Sequence, residues 1–479
     1  MSKGPLPGVD AAGGALDPAP GTAPPPDSST KPTRVAFQNV GCKLNQCEVE
    51  ALQDGFQRRG YELVPFGAGA DVYVVNTCTV TGSGDADSRR AVRRAVRFNP
   101  DATVVATGCY AQRRPDALRE AGAELVVGND DKANLVDTVH RHLTVNHHLA
   151  DSTPVATFDP STRPKAARFL EIHGAPSLGR TRGTLKIQDG CDEHCTYCVI
   201  PSVRGVSVSR PLDECLEQAR RMVTAGYREV VLTGVHTGSY GVDFGEDESL
   251  LSLLRALEEI DGLARIRLNS VEPGFVTDAL IRHLADSSKL CRHFHIPLQS
   301  GDDQILRRMG RRYTARQYAR VVESIADLVP DCAIGADVMV GFPGESREHF
   351  DNTFELIRRL PLTYLPVFSY SMRDGTAALR LGDRQTRATQ RPRARQLIRL
   401  GEDKRLAFNQ RFLGTRLRIL IEECRSSGAD ASGLAVGRSD NYVKVLFNAA
   451  KQDIAVNEFV EVRVDSARQD AVFGEWVPS

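Results

Sequence analysis

The sequence predicts an α/β protein with an N-terminal open parallel α/β domain, a central partial (βα)6 barrel and a small C-terminal antiparallel β-barrel. Three observations carry this. Short apolar runs alternate with amphipathic stretches in two blocks, an aperiodic Pro-bearing segment separates the blocks, and residues 415–477 switch to a period of two.

In the first block, residues 34–145, the apolar runs are 34–40, 72–76, 103–107 and 125–128, each followed by a helical pattern. Strands alternating with helices imply a parallel sheet covered on both faces. Residues 1–33 are rich in Pro, Gly and Ala without an apolar stretch, so they read as a disordered tail and not a secretory signal. Residues 146–180 carry Pro154, Pro160, Pro164 and Pro176 and read as a linker.

The second block, 181–411, has strand candidates at 184–188, 229–233, 265–269, 293–298, 333–340 and 364–370, with helical patterns between them. Six such units suit an open barrel, because a closed eight-stranded one takes roughly 250 residues. A long polar helix ends near Arg411, and 412–479 form the terminal barrel, with alternating runs at 416–422, 442–447 and 459–464.

The chain of 479 residues is 41% hydrophobic and 25% charged, as globular proteins are. No run of eighteen apolar residues predicts a membrane span. Net charge is zero, but arginines crowd 89–97, 307–312 and 384–399. Each run alone reads as a solvated face; together they point to a phosphate-rich partner. Eleven cysteines without an export signal argue for metal ligation or buried thiols in a reducing cytoplasm.

Cys191, Cys195 and Cys198 follow the first central strand on a loop opened by Gly190 and closed before Pro201. Active sites of such barrels lie at the carboxyl ends of the strands. Three thiolates on one loop can hold a 4Fe–4S cluster and leave one iron open to a reactant. The alternatives are three cysteines on one helix face, or zinc, which needs a fourth ligand that neighbouring His194 is too close in sequence to supply comfortably.

A second set, Cys42, Cys78 and Cys109, follows strand candidates in the first block. Carboxyl ends of parallel strands share one crevice, so these residues can meet there and hold a second cluster, with Gly41 and Gly108 leaving room. Three buried small hydrophobes are the alternative. Cys47 ranks below Cys42 because it falls in a helix start, and Cys215, Cys291, Cys332 and Cys424 read as structural.

The Cys-x3-Cys-x2-Cys spacing with Tyr197 before the last cysteine resembles the radical S-adenosylmethionine superfamily. That resemblance implies that the open iron chelates S-adenosylmethionine and that the cluster delivers an electron to break a carbon–sulfur bond. With the second cysteine set and the terminal barrel, residues 34–478 resemble the methylthiotransferases. The shared stretches include Asn76-Thr77-Cys78-Thr79-Val80-Thr81, Asn269-Ser270-Val271-Glu272-Pro273, His295-Ile296-Pro297-Leu298-Gln299-Ser300-Gly301 and Val340-Gly341-Phe342-Pro343-Gly344-Glu345.

The family implies two 4Fe–4S clusters, two molecules of S-adenosylmethionine, a terminal barrel like the RNA-binding TRAM domain, and an electron donor of flavodoxin or ferredoxin type. The stretch 232–241 (LTGVHTGSYG) looks most like the MtaB type, the branch that acts on threonylcarbamoyladenosine in tRNA; another branch acts on isopentenyladenosine. Pro366 departs from the histidine expected in that branch. Tyr197 would pack near the adenine of the cofactor, and Glu272 and Gln299, at strand ends, would hydrogen-bond its ribose or amino group. Core packing and loop hydrogen bonds are their plainer roles. A rival of another class is a non-catalytic RNA-binding protein stabilised by zinc.

Overall fold

The computed structural model describes residues 31–145, 169–173, 181–245, 248–425, 433–449 and 454–478. The expected tail lies outside them except for 31–33, and the expected linker except for 169–173.

The N-terminal sheet is parallel throughout, in the spatial order Glu62–Val64, Arg34–Asn39, Val72–Thr77, Thr103–Gly108, Leu125–Val127. The short edge strand Glu62–Val64 was not apparent from periodicity, since three residues carry none. Its place makes the strand order reverse beside Arg34–Asn39, which creates a crevice between that strand and Val72–Thr77. Register pairs Asn39 with Asn76 and Thr77 with Gly108, so the strands end level and their next residues gather on one rim. Val72–Thr77 and Thr103–Gly108 are buried at every position, as central strands covered on both faces must be.

The central domain is an open ring of parallel strands. Arg182–Lys186, Glu229–Thr233 and Arg265–Arg267 pair in order. Isolated bridges lead on to His293–His295, which pairs with Ala333–Gly335. Val338–Val340 then pairs with Val367–Ser369. The expected strand over 333–340 is interrupted at Ala336–Asp337, because the Asp337 carbonyl accepts the amides of both Leu298 and Gln299. Gln299 takes a left-handed backbone (φ 61°), which also ends the preceding strand early. The Asp337 carboxylate is paired: His295 Nε2 lies 3.0 Å from it, and His295 Nδ1 lies 3.0 Å from the Tyr364 hydroxyl.

The terminal barrel is closed by five strands, Arg416–Arg425, Leu434–Ser439, Lys444–Asn448, Phe459–Ala467 and Val472–Val477. Four pairings are antiparallel, and Lys444–Asn448 runs parallel to Val472–Val477. This barrel is tied tightly to the central one. Arg265 donates to the carbonyls of Arg418 and Arg438, and Arg267 to those of Ser439 and Asp440. Tyr442, itself left-handed (φ 66°), stacks on His293 with ring centres 4.5 Å apart. Where the three parts meet, a cavity of about 270 Å³ is lined by Lys43, Gln46, Arg182, Thr184 and Glu422, and by no cysteine. Among the described residues no helix is long and apolar enough to cross a membrane.

Arg267 and Glu229 form a fully buried pair at 2.7 Å. Arg267→Ala removes the hydrogen-bonded partner of that carboxylate, leaving only Arg265 at 3.7 Å, and is expected to destabilise the junction by roughly 3 kcal/mol. A clear fall in Tm checks this; an unchanged Tm would contradict it.

Candidate functional site

The loop Gly190–Cys198 crosses the chain at Gly205–Val206, and the crossing admits no side chain. Gly190 has φ +72°, and a Cβ there would lie 1.8 Å from the Val206 carbonyl oxygen. The Cys191 amide donates to the Gly205 carbonyl at 3.0 Å, and the Cys198 amide to that of Cys195 at 3.0 Å. Backbone amides also face sulfur, Glu193 toward Cys191 and Ile200 toward Cys198, each at 3.4 Å. The three cysteines do not sit on one helix face, since the segment is loop and turn up to the Ile200–Arg204 helix.

All three cysteines are half-buried, and their thiols lie close enough to interact electrostatically. Burial pushes the Cys191 thiol up to about 12 and that of Cys198 up to about 11. Without metal the set stays protonated at neutral pH; metal binding supplies the positive charge that makes them thiolates. Among the described residues no three His, Cys, Asp or Glu side chains are disposed to hold one metal ion. A zinc ion needs its ligands on one centre, whereas a cubane spreads them over separate irons. Three thiols from one loop are the donor set of a cluster that keeps one iron open.

The expected cofactor contacts gather beside this loop. Tyr197 packs edge-on against Phe342, ring centres 6.2 Å apart, and its hydroxyl accepts from Arg311 at 2.7 Å. Glu272 forms an ion pair with the same guanidinium at 2.7 Å. Gln299 lies one strand further round, half-buried, its side chain without a hydrogen bond among the described residues. Arg311 was missed as a site residue because it stood in an arginine run expected to face phosphate. The run divides instead: Arg311 is buried here, and Arg308 donates to the Pro343 carbonyl at 3.1 Å.

The second set also converges. Cys109 lies close enough to act on the ionisation of both Cys42 and Cys78, and Cys42 on that of Cys78. Cys78 and Cys109 are buried, while Cys42 keeps an open surface. Burial raises the thiols of Cys42 and Cys78, the latter to about 12. Two glycines make the approach possible. A Cβ on Gly41 (φ +110°) would lie 2.8 Å from the Cys78 sulfur, and one on Gly108 (φ +97°) 2.5 Å from Asn76 Oδ1. Cys47 is set aside from both sets, its thiol facing the Thr184 carbonyl at 3.2 Å.

Cys109 has a further partner that sequence reasoning did not find. Arg204, 1% exposed and six residues beyond Cys198, donates Nε–H to the Cys109 sulfur at 3.1 Å. Its other nitrogens bind Glu48 at 2.9 Å, Asp189 at 3.1 Å and Asn45 at 3.0 Å. Lys186 reaches both carboxylates, and Lys132 reaches Glu48. Burial alone would raise the Glu48 carboxyl, but Arg204, Lys132 and Lys186 outweigh it and hold it well below the usual range. Within this hydrogen-bonded set three cations face two carboxylates. One positive charge of this set is left over in a dry interior, with its guanidinium on the Cys109 sulfur. Sulfur ligates metal as thiolate, so a cation at this place fits a metal-ligand set.

Of the remaining cysteines, Cys215, Cys291 and Cys332 are buried and Cys424 is exposed.

Residues 185–357 match the Radical SAM superfamily, and residues 34–128 match the Uncharacterized protein family UPF0004. Fold and loop thus define a radical S-adenosylmethionine enzyme, a class that carries a 4Fe–4S cluster and S-adenosylmethionine. The chain is 37% identical to the threonylcarbamoyladenosine tRNA methylthiotransferase MtaB of Bacillus subtilis (strain 168), over 92% of its length and 96% of the relative's. It is 39% identical to the protein of that name from Aquifex aeolicus (strain VF5), over 81% and 93%. It is 32% identical to the tRNA-2-methylthio-N(6)-dimethylallyladenosine synthase of Syntrophotalea carbinolica, over 92% and 99%. The chain belongs to the radical S-adenosylmethionine methylthiotransferases. Its fold resembles that of the radical S-adenosylmethionine methyltransferase TsrM from Kitasatospora setae, with a TM-score of 0.52 over 70% of this chain and 72% of that one, at 16% identity.

Gly190→Ala should force the loop from Val206 and cost roughly four irons per chain, the content of one cluster. Iron and sulfide analysis of anaerobically prepared protein checks this, and full iron content would contradict it.

Proposed function

We propose that the chain inserts a methylthio group at carbon 2 of threonylcarbamoyladenosine beside the anticodon of tRNA, using two 4Fe–4S clusters. The observation that supports two clusters is the second thiol set, with the buried Arg204 donating Nε–H to the Cys109 sulfur. The threonylcarbamoyl branch is supported by relatives of that name at 37% and 39% identity, against 32% for a relative named for dimethylallyladenosine.

When bound, the clusters and S-adenosylmethionine supply a radical at the barrel and a sulfur at the N-terminal sheet. The chain's residues do the rest. Cys191, Cys195 and Cys198 hold one cluster, while Cys42, Cys78 and Cys109 hold the other. Arg311 fixes Glu272 and the Tyr197 hydroxyl as one wall of the cofactor site, with Gln299 one strand further round as a hydrogen-bonding group. Both sets keep some open surface, at residue Cys42 and at all three barrel cysteines, where reactants enter. The terminal barrel acts as a TRAM-like RNA-binding domain. An electron donor of flavodoxin or ferredoxin type reduces the enzyme, and the reaction takes place in the cytoplasm.

Anaerobic protein is expected to contain about eight irons with matching sulfide; two zinc ions without sulfide would establish the structural zinc protein instead. Reduced enzyme given tRNA bearing either base, with nucleosides read by mass spectrometry, should yield methylthio product from the threonylcarbamoyl substrate. Product from isopentenyladenosine alone would move the chain to that branch.

Cys195→Ala should abolish 5′-deoxyadenosine formation and keep the N-terminal cluster. Cys78→Ala should spare that cleavage and reduce methylthio product below detection. Normal product from Cys78→Ala would remove the second cluster from the scheme.

A further inference from the structure

Two helices from different domains start at one short segment beside the second thiol set. The segment is Tyr370–Asp374, just after the last barrel strand. The Gly82–Phe98 helix begins against it: the Gly82 amide donates to Ser371 Oγ at 3.1 Å, and Arg373 pairs with Asp85. Arg113 and Arg114 hold Asp374 from the same domain, at 2.8 and 2.6 Å. The Arg387–Gln410 helix begins on its other side, where Gln390 donates to the Tyr370 carbonyl at 3.4 Å. The first turn of the Gly82–Phe98 helix also touches the thiol set, since a Cβ on Gly84 would lie 3.5 Å from the Cys78 sulfur.

Each helix carries arginines four residues apart, the spacing that lines one helix face. On the first, Arg93 and Arg97 continue the row of Arg89; on the second, Arg387, Arg391, Arg395 and Arg399 follow one another. Apart from the half-buried Arg89, all of these are exposed, and those six have no ion-pair partner among the described residues. Where such helices serve only as solvated faces, acidic residues at i±4 usually answer the charge. Here Arg90 pairs with Asp87 and Arg393 with Glu345, whereas the rows form no ion pair among the described residues: Asp85, four before Arg89, is taken by Arg373, and Asp101, Asp383 and Asp403, though four residues from Arg97, Arg387 and Arg399, do not pair with them. A groove of about 510 Å³ runs along Arg89, Arg90, Arg93 and Arg97. Near their common origin, Phe368 and Met372 are 46% and 58% exposed, although both are large and apolar.

We propose that the two arginine rows form one track for the phosphate backbone of the RNA substrate. Phe368 and Met372 receive an unstacked base beside Cys78. This rests on the RNA substrate proposed above and adds a binding surface apart from the terminal barrel. Its chemistry is that of single-stranded nucleic-acid sites: guanidinium groups along the phosphates and an apolar platform for bases. The helix amino ends, both at the segment, add partial positive charge where the strand would turn inward.

The test uses the full-length reconstituted enzyme and fluorescent tRNA bearing threonylcarbamoyladenosine, titrated across a range of salt. The double variants are R93E/R97E and R391E/R395E, with R282E/R316E, on outer helices of the central barrel, as the control. Each row variant should weaken tRNA binding by about tenfold or more and lower the slope of log Kd against log salt by roughly two. Iron content and 5′-deoxyadenosine formation without tRNA should stay at wild-type levels, as should tRNA binding by the control. Tight wild-type binding with unchanged row variants would overturn the track alone. Loss in one row only would overturn its continuity across both domains. No tRNA binding by the wild-type chain would overturn the track and the RNA reading together.

Discussion

The arrangement of this molecule depends on a buried cluster of charge centred on Glu48 and Arg204. Glu48 lies one and a half turns into the helix that follows Cys42, and Arg204 ends the short helix that follows Cys198. Each is thus a short covalent step from one thiol set. Their pairing at 2.9 Å fixes the N-terminal sheet against the barrel loop. Desolvating such groups is costly, and only a nearly complete set of partners makes it tolerable. Lys132, Lys186, Asp189, Asn45 and the Cys109 sulfur complete that set. The same contacts that join the domains therefore leave one guanidinium nitrogen aimed at the Cys109 sulfur.

The other junctions follow from the openness of the barrel. An incomplete ring of strands has an unpaired edge, which must be covered or left to aggregate. The helix Lys43–Arg58 lies along that edge at Arg182–Lys186, with the Cys47 thiol on the Thr184 carbonyl. The terminal barrel packs on the central strands through Arg265, Arg267 and Tyr442. Each neighbour of the catalytic ring is thus also part of its wall. A domain that would serve only to hold RNA has no need of a tyrosine stacked on a barrel histidine.

Similarity to a radical methyltransferase at 16% identity shows how little sequence this scaffold requires. Alternating apolar and amphipathic segments suffice for the layers, and the chemistry lies in side chains placed at strand ends. In this chain thiols stand at strand ends in both α/β domains, and glycines at 41, 108 and 190 give the backbone its close approach there.

The sequence by itself determined the three-part α/β organisation, the strand-end position of the six cysteines and the family resemblance. These are written in local patterns: periods of two and 3.6, glycine next to cysteine, and short ligand spacings. It did not determine which arginines serve the site. Arg204 and Arg311 look no different in sequence from Arg93 or Arg391, yet two are buried against sulfur or tyrosine and two stand in water. The break at Ala336–Asp337 and the Asp337–His295 pair were equally invisible. Only the tertiary structure decided these, because a charged side chain acquires its role from partners distant in the chain, and the free energy of burying it is set by those partners.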